Sequence, residues 1–349
     1  ALLKYEKRFN KNNVIVPSAN QISKSIKSLD KKVKNAIDLA YNRIHKFHSL
    51  QKFKNISYTD KLKNKLEYKY LPIESVAIYV PGSTASYPSS VLMNAIPALV
   101  AGVKRLVMIN PGQKGKQNPA VLYAAKKCKV KEIYKVGGAQ AIAAFAYGTR
   151  NIKKVNKIVG PGNKYVALAK KEVFGQVGID MIAGPSEVTI VADKSSNLEW
   201  VAADLIAQAE HDENAQSILL TQNKKIISKV NVLLRKQLKK LSKKKIAEKS
   251  LRNFGLSIFT QNIEKLIDII NTIAPEHLEI LVKNPSKILK NVKNAGSIFI
   301  GSYSPEAMGD YLAGTNHVLP TSGSAKFSSG LSVYDFLKRH SLIKISKTG

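Results

Sequence analysis

The sequence predicts an α/β chain: two Rossmann-like βαβ domains with mainly parallel sheets, preceded by an N-terminal helical region. Three observations predict it. From residue 73 onward, short β-branched runs alternate with helical patterns, the signature of parallel strands joined by right-handed crossovers. The alternation occurs twice, with residues 175–185 as the seam. Residues 1–70 instead read as polar helix, chiefly from about Gln21 to Gln51, followed by a lysine-rich connector. A length of 349 residues also fits two domains at about 150 residues each, each able to bury a core.

The elements follow in order. Apolar runs predict strands at 75–80, 105–109, 132–136 and 157–159, with helical patterns at 89–101, 119–127, 139–147 and 164–174 between and after them. The second set has strands at 188–191, 218–221, 256–259 and 297–300. Its helices fall at 198–210, 225–241, 263–273 and 285–292. The expected organisation is therefore 1–72 helical, 73–178 a first α/β domain, 179–325 a second, and 326–349 the start of a further segment.

Composition excludes several classes. No apolar run approaches the roughly 20 residues that span a bilayer. The opening ALLKYEKRFN has no secretory pattern. One cysteine, Cys128, rules out a disulfide framework or a CxxC pair, and with no histidine nearby in sequence it reads as an inert thiol. The charge is large: 56 basic against 24 acidic residues, a net +32. Yet 49 of the basic residues are Lys and seven are Arg, and base reading in DNA leans on bidentate arginine. The densest run, Lys239 to Lys245, interleaves with Ile226, Val230, Leu234, Leu238 and Leu241 as the solvated face of one amphipathic helix. A basic nucleic-acid-binding protein is thus the weaker reading.

In open α/β sheets ligands sit beyond the carboxyl ends of the strands. Three loops there are conspicuous: Tyr79-Val80-Pro81-Gly82-Ser83-Thr84, Gly137-Gly138-Ala139-Gln140 and Gly160-Pro161-Gly162-Asn163-Lys164. Their glycines permit close backbone approach, and the helix starts that follow offer N–H groups to an anion. None completes a GxGxxG or a P-loop, so tight turns remain an equal reading.

Among six histidines, His45 and His48 lie among lysines and are expected to be solvated. Gln208 and His211, three apart on one predicted helix face, are able to share a metal with Asp310. Glu276-His277 is a different pattern. Adjacent carboxyl and imidazole groups supply the two titratable groups that proton shuttling requires.

The segments IYVPGSTASYPSSVLMNAIPALVAGV (78–103), VGGAQAIAAFAYGT (136–149), VGPGNKYVALAK (159–170), DMIAGPSEVTIVAD (180–193), ADLIAQAEHD (203–212), APEHLE (274–279) and MGDYLAGTNHVLPTSG (308–323) together resemble the histidinol dehydrogenase family. They run in that family's order across nearly the whole chain. The resemblance implies a cytoplasmic, NAD-dependent, zinc-containing homodimer with a site shared between subunits. It would oxidise L-histidinol through L-histidinaldehyde to L-histidine, with no membrane or nucleic-acid partner.

By motif, the resemblance implies Tyr79, Gln140 and Asn163 for NAD, and Gln208, His211 and Asp310 for zinc. It implies Ser186, together with Gln208, His211, His277 and Asp310, for substrate, and Glu276 and His277 as the acid–base pair. Ser83 and Ile182 depart from the family's usual PGG and DMPAGPSE. The family also carries a C-terminal segment with a zinc-binding His and a substrate-binding Glu that act in the partner subunit. No such segment follows here, and His340 does not match its motif, so the chain reads as truncated at both ends. A catalytically inactive member is the remaining alternative.

Overall fold

The structure, a computed structural model, describes residues 1–51, 53–82, 87–112 and 115–349. Ser83 and Thr84 of the first glycine-bearing loop lie outside the described residues. The chain forms two compact units: Ala1–Ile182 with Tyr311–Val318 and Leu331–Gly349, and Ala183–Asp310 with Leu319–Gly330.

The first unit begins with α1 (Leu2–Asn10), α2 (Ala19–Lys27) and α3 (Lys31–Ser49). Helix α2 starts on a capping box in which Ser18 and Gln21 bond reciprocally. Helix α3 starts on Asp30 and buries Ile37, Ala40, Ile44 and His48, one stripe at spacings of three and four. His48 therefore corrects the expectation of a solvated side chain. It completes that stripe, is fully buried, and bonds the Ile44 carbonyl at 2.9 Å.

Next come β1 (Ile56–Thr59), β2 (Lys65–Pro72), β3 (Ser75–Tyr79), α4 (Pro88–Ala101), β4 (Arg105–Ile109), α5 (Pro119–Lys127), β5 (Glu132–Tyr134), α6 (Gly138–Tyr147), β6 (Lys157–Val159), α7 (Lys164–Val173) and β7 (Gly178–Ile179). The parallel sheet has the order β5-β4-β3-β6-β7. Strand β3 is central and buried at every position, as a strand covered on both faces must be. Strands β1 and β2 lie where the sequence reads as connector. Strand β2 pairs antiparallel with β1 on one side and, from Pro72 to Lys65, with β13 (Leu337–Lys344) on the other. Local sequence carries no sign of a partner some 270 residues away.

The second unit contains β8 (Glu187–Ala192), α8 (Leu198–Ala209), β9 (Gln216–Thr221), α9 (Lys224–Leu238), α10 (Lys244–Phe254), β10 (Leu256–Phe259), α11 (Ile263–Ile273), β11 (His277–Leu281), α12 (Ser286–Asn291), β12 (Ser297–Ile300) and the single turn α13 (Glu306–Met308). Its parallel sheet runs β10-β9-β8-β11-β12. The one long helix expected over 225–241 ends at Leu238, and α10 turns back so that Ala247, Leu251 and Leu241 pack with Ile206, Ala209 and Leu238.

Strand β11 is the other correction. The expected elements include no strand between the helices at 263–273 and 285–292, because HLEIL carries two ionisable residues in five, yet all five are buried between β8 and β12. No described helix is long and apolar enough to cross a membrane.

Cys128 is fully buried, and desolvation pushes its thiol up to about 12. At pH 8 the folded chain should therefore resist iodoacetamide and react only in denaturant, which mass spectrometry of the alkylated protein checks.

Candidate active site

In the first unit the loops expected to meet an anion gather at the carboxyl end of β3. This is the switch point of the sheet, where β4 and β6 flank the first strand on opposite sides. A Cβ on Gly160 (φ +108°) would run into the Tyr79 carbonyl, so only glycine lets that loop lie on the strand end. The loop is tied down from behind. The Lys170 ammonium donates to the Gly160 carbonyl at 3.0 Å and pairs with Asp180, and Asp180 accepts the Gly160 N–H at 2.6 Å. The side chains of Lys170 and Asp180 are both almost fully buried.

The three residues singled out for a dinucleotide differ in setting. Tyr79 is buried, its hydroxyl accepts the Gly138 N–H at 3.1 Å, and burial raises its pKa, so the phenol keeps its proton as a donor. Gln140 is half-buried in the first turn of α6. Asn163 is exposed and caps α7 by accepting the N–H groups of Tyr165 and Val166.

The anion actually present at the start of α6 is Glu6. Its carboxylate accepts the Gly137 N–H at 2.8 Å and the Gln140 amide at 3.4 Å, and is held by Asn10 and Asn12 at 2.8 Å each. It is fully buried at a positive helix end. Glu6 was not legible as a functional residue. It is one acid in a lysine-rich helix, 131 positions from its partner.

The second unit places its chemistry at the opposite edge of the sheet, the amino ends of the strands. This corrects the expectation that strand-to-helix loops carry the site. The carboxyl ends there are closed internally: Asn197, Asn223 and Asn262 cap the helices, and Asp193 accepts the Lys283 N–H at 3.1 Å. At the amino ends, α11 stops at Ala274 in a left-handed turn, and the chain enters β11 through Glu276 and His277. A Cβ on Gly296 would lie 2.6 Å from the Glu276 carbonyl, so a glycine lets β12 close on that entry.

Parallel register sets His277 beside Val188 and brings both catalytic candidates to the Glu187 peptide. The Glu187 N–H donates to Glu276 Oε2 at 2.9 Å. His277 Nδ1 bonds the Glu187 carbonyl at 3.1 Å, and its Nε2 meets Asp310 Oδ1 at 3.1 Å. A backbone carbonyl can only accept, so Nδ1 carries a hydrogen. Asp310 stands at the start of a π turn, Gly309–Ala313, a distortion that often marks functional sites.

Burial dominates the electrostatics. Desolvation raises Glu276 to about 8 against the opposing pull of His277. Burial would lower His277, but the Asp310 bond and the charges of Glu306, Glu276 and Asp310 outweigh it and raise the imidazole to about 10. Desolvation likewise raises Glu306 to about 7 and Glu279 to about 8. Asp204 and Glu279 share a hydrogen bond, which two carboxyl groups make only when one keeps its proton.

Of the expected ligands, Gln208 is fully buried within α8, but that helix ends at Ala209, so His211 lies on the turn beyond it instead of on its face. The two stay adjacent because the His211 N–H donates to the Gln208 carbonyl at 3.2 Å. His211 is exposed on that turn; the atoms around its imidazole still desolvate it in part and lower its pKa, and the charge of Asp310 opposes the shift. Ser186 is half-buried directly before β8, its carbonyl accepting the Gln216 N–H at 3.0 Å.

The set whose ligand atoms converge among the described residues is His277, Glu306 and Asp310, all within 4.8 Å of one another. An imidazole and two carboxylates are a nitrogen–oxygen donor set suited to a divalent cation, so this edge fits a metal. Glu306 was missed. Its only sequence signal is its place four residues before Asp310 in the PEAMGD segment.

The comparisons decide the family. The family model for histidinol dehydrogenase matches residues 1–349. The chain belongs to the histidinol dehydrogenase family. It is 69% identical to the histidinol dehydrogenase of Pelagibacter ubique, over 100% of this chain and 82% of that protein. With the Bradyrhizobium diazoefficiens histidinol dehydrogenase the identity is 53%, over 94% of this chain and 76% of that one. A solved histidinol dehydrogenase from Elizabethkingia anophelis superposes with a TM-score of 0.96 at 41% identity, covering 100% of this chain and 81% of that one. As a histidinol dehydrogenase, the chain is an oxidoreductase that converts histidinol to histidine in histidine biosynthesis. The nucleic-acid and inactive readings are not favoured.

The Lys170–Asp180 pair yields a prediction. Asp180→Asn leaves a buried ammonium without its counter-charge and should destabilise the first unit by about 3–5 kcal/mol. A denaturant titration reads this as a lower midpoint; a loss below about 1 kcal/mol would show that the loop is held by something else.

Proposed function

We propose that this histidinol dehydrogenase takes two hydrides from L-histidinol with NAD as acceptor, using His277 and Glu276 as proton acceptors beside a zinc site. The observation that carries the reading is the shared clamp on the Glu187 peptide. It holds a carboxyl and an imidazole side by side, with Asp310 on the imidazole's far nitrogen.

In the first half-reaction His277 takes the alcohol proton as hydride leaves the carbinol carbon for NAD, and histidinaldehyde results. Water must then add to the aldehyde. Glu276 takes the proton from that water, and the hydrate gives up a second hydride and its remaining proton. One carbinol, two NAD and one water thus give one carboxylate, two NADH and three protons. Zinc bound by Gln208, His211 and Asp310 would supply positive charge that orients the substrate's imidazole and amine and offsets the carboxylate field holding a proton on His277. Ser186, which the family motif assigns to substrate, stands directly before Glu187. A neutral His277 suits the base role, and its fixed Nδ1–H leaves Nε2 as the accepting atom.

For the dinucleotide, the reading is supported by the convergence of Tyr79, Gln140 and the Asn163 loop on the switch point of the first sheet, with Tyr79 available as a protonated donor. We further propose a homodimer in which the partner completes the site, as the family pattern implies. Sedimentation at micromolar concentration should give a dimer mass.

Three outcomes test the chemistry. Glu276→Gln should keep the first hydride transfer but lose the oxidation of added histidinaldehyde by about 10²–10⁴-fold, measured as NADH formation from each substrate. A carboxyl must be ionised to accept a proton, so in the unaltered chain the aldehyde step should fall as pH drops through about 8. Equal loss of both steps would remove the division of labour. Chelator treatment should abolish turnover while leaving the far-ultraviolet circular dichroism unchanged, and zinc should restore it.

A further inference from the structure

Gln208 presents a problem of orientation. A primary amide has one oxygen and one nitrogen, and a metal takes only the oxygen. The side chain is fully buried, so no bulk water sorts the two ends. Glu306 sorts them. With the amide oriented to satisfy its neighbours, its nitrogen donates to Glu306 Oε1 at 3.0 Å and to Oε2 at 3.1 Å. An amide oxygen set against those acceptor oxygens would be repelled, so the oxygen is turned to the other side.

Glu306 is itself held in register with both of the elements that carry the site. Its N–H donates to Glu279 Oε1 at 2.9 Å. Glu279 follows His277 by two residues on β11, so both side chains leave the same face of the strand. Glu279 in turn shares a hydrogen bond with Asp204, one turn before Gln208 on α8. Asp204, Glu279, Glu306 and Gln208 therefore form a closed ring that leaves α8 and returns to it through β11 and the turn after β12. Glu306 also lies 4.0 Å from His277 Nδ1, close enough to act on the imidazole by charge.

We propose that Glu306 is a positioning residue for the metal site: by taking the Gln208 amide nitrogen it presents the Gln208 carbonyl oxygen as a ligand. The inference rests on the reading of Gln208 as a zinc ligand. It makes Glu306 act through Gln208 and not as a ligand in its own right, although its carboxylate is near enough to His277 and Asp310 to be one.

A thermodynamic cycle on the full chain separates these roles, with zinc as the probe and a chromophoric chelator as competitor. Glu306→Ala should weaken zinc binding by about 10–100-fold, and Glu306→Gln, which keeps one acceptor oxygen, should recover part of that loss. Gln208→Ala should weaken zinc comparably. The double variant should be no weaker than Gln208→Ala, to within about twofold, because a residue acting through Gln208 has nothing left to act on.

Additive losses would overturn the proposal by making Glu306 an independent ligand. Unchanged zinc affinity in Glu306→Ala, with Gln208→Ala weakened, would overturn the proposal alone. Unchanged affinity in Gln208→Ala would remove the ligand reading and this inference with it. Thermal melting of the metal-free variants checks folding, and if Glu306→Ala does not fold, Glu306→Gln carries the same cycle.

Discussion

The candidate catalytic pair of the second unit depends on one peptide group. The amide of Glu187 donates to Glu276 and its carbonyl accepts from His277, so two adjacent residues at the entry to one strand are fixed by a single residue on the next. This works only because β11 runs parallel to β8 with His277 opposite Val188. A one-residue slip in register would exchange the faces of the strand and carry His277 and Glu279 away from the acids they meet. Backbone groups are also rigid, so the orientation of the imidazole does not depend on a flexible side chain. The Glu187 side chain is employed separately, accepting the Ser322 N–H at 2.7 Å.

Charge is the second organising fact. The chain carries +32 overall, yet its active edge is acidic. Glu276, Glu306 and Asp310 gather around one imidazole, with Asp204 and Glu279 beside Glu306, all drawn from only 24 acids. Packing carboxyl groups together out of water raises their proton affinities, because each charge opposes the next and solvation is lost. The same field holds a proton on His277. A bound divalent cation answers both effects, which is why the site reads as built for positive charge.

The first unit handles an opposite problem. Its helix starts at α6 and α7 attract anions, and each has an internal answer: Glu6 at Gly137, and the Asn163 cap at Tyr165 and Val166. The buried Lys170–Asp180 pair then holds the Gly160 loop from behind.

How much of this was legible in the sequence follows from what each feature depends on. The strands at 105–109, 157–159, 256–259 and 297–300 and the helices at 119–127 and 263–273 coincide with the structure, because β-branched runs and apolar periodicity are local properties. Family motifs singled out Glu276, His277, Gln208, His211 and Asp310 as candidates for the chemistry. Tertiary structure alone decided that HLEIL is a buried strand, that β13 closes on β2, and that the second site lies at the amino ends of its sheet. It also decided that Glu6 and Glu306 matter. Each of those depends on partners distant in the chain, and burial and pairing are properties of an assembled neighbourhood that no local pattern of residues contains.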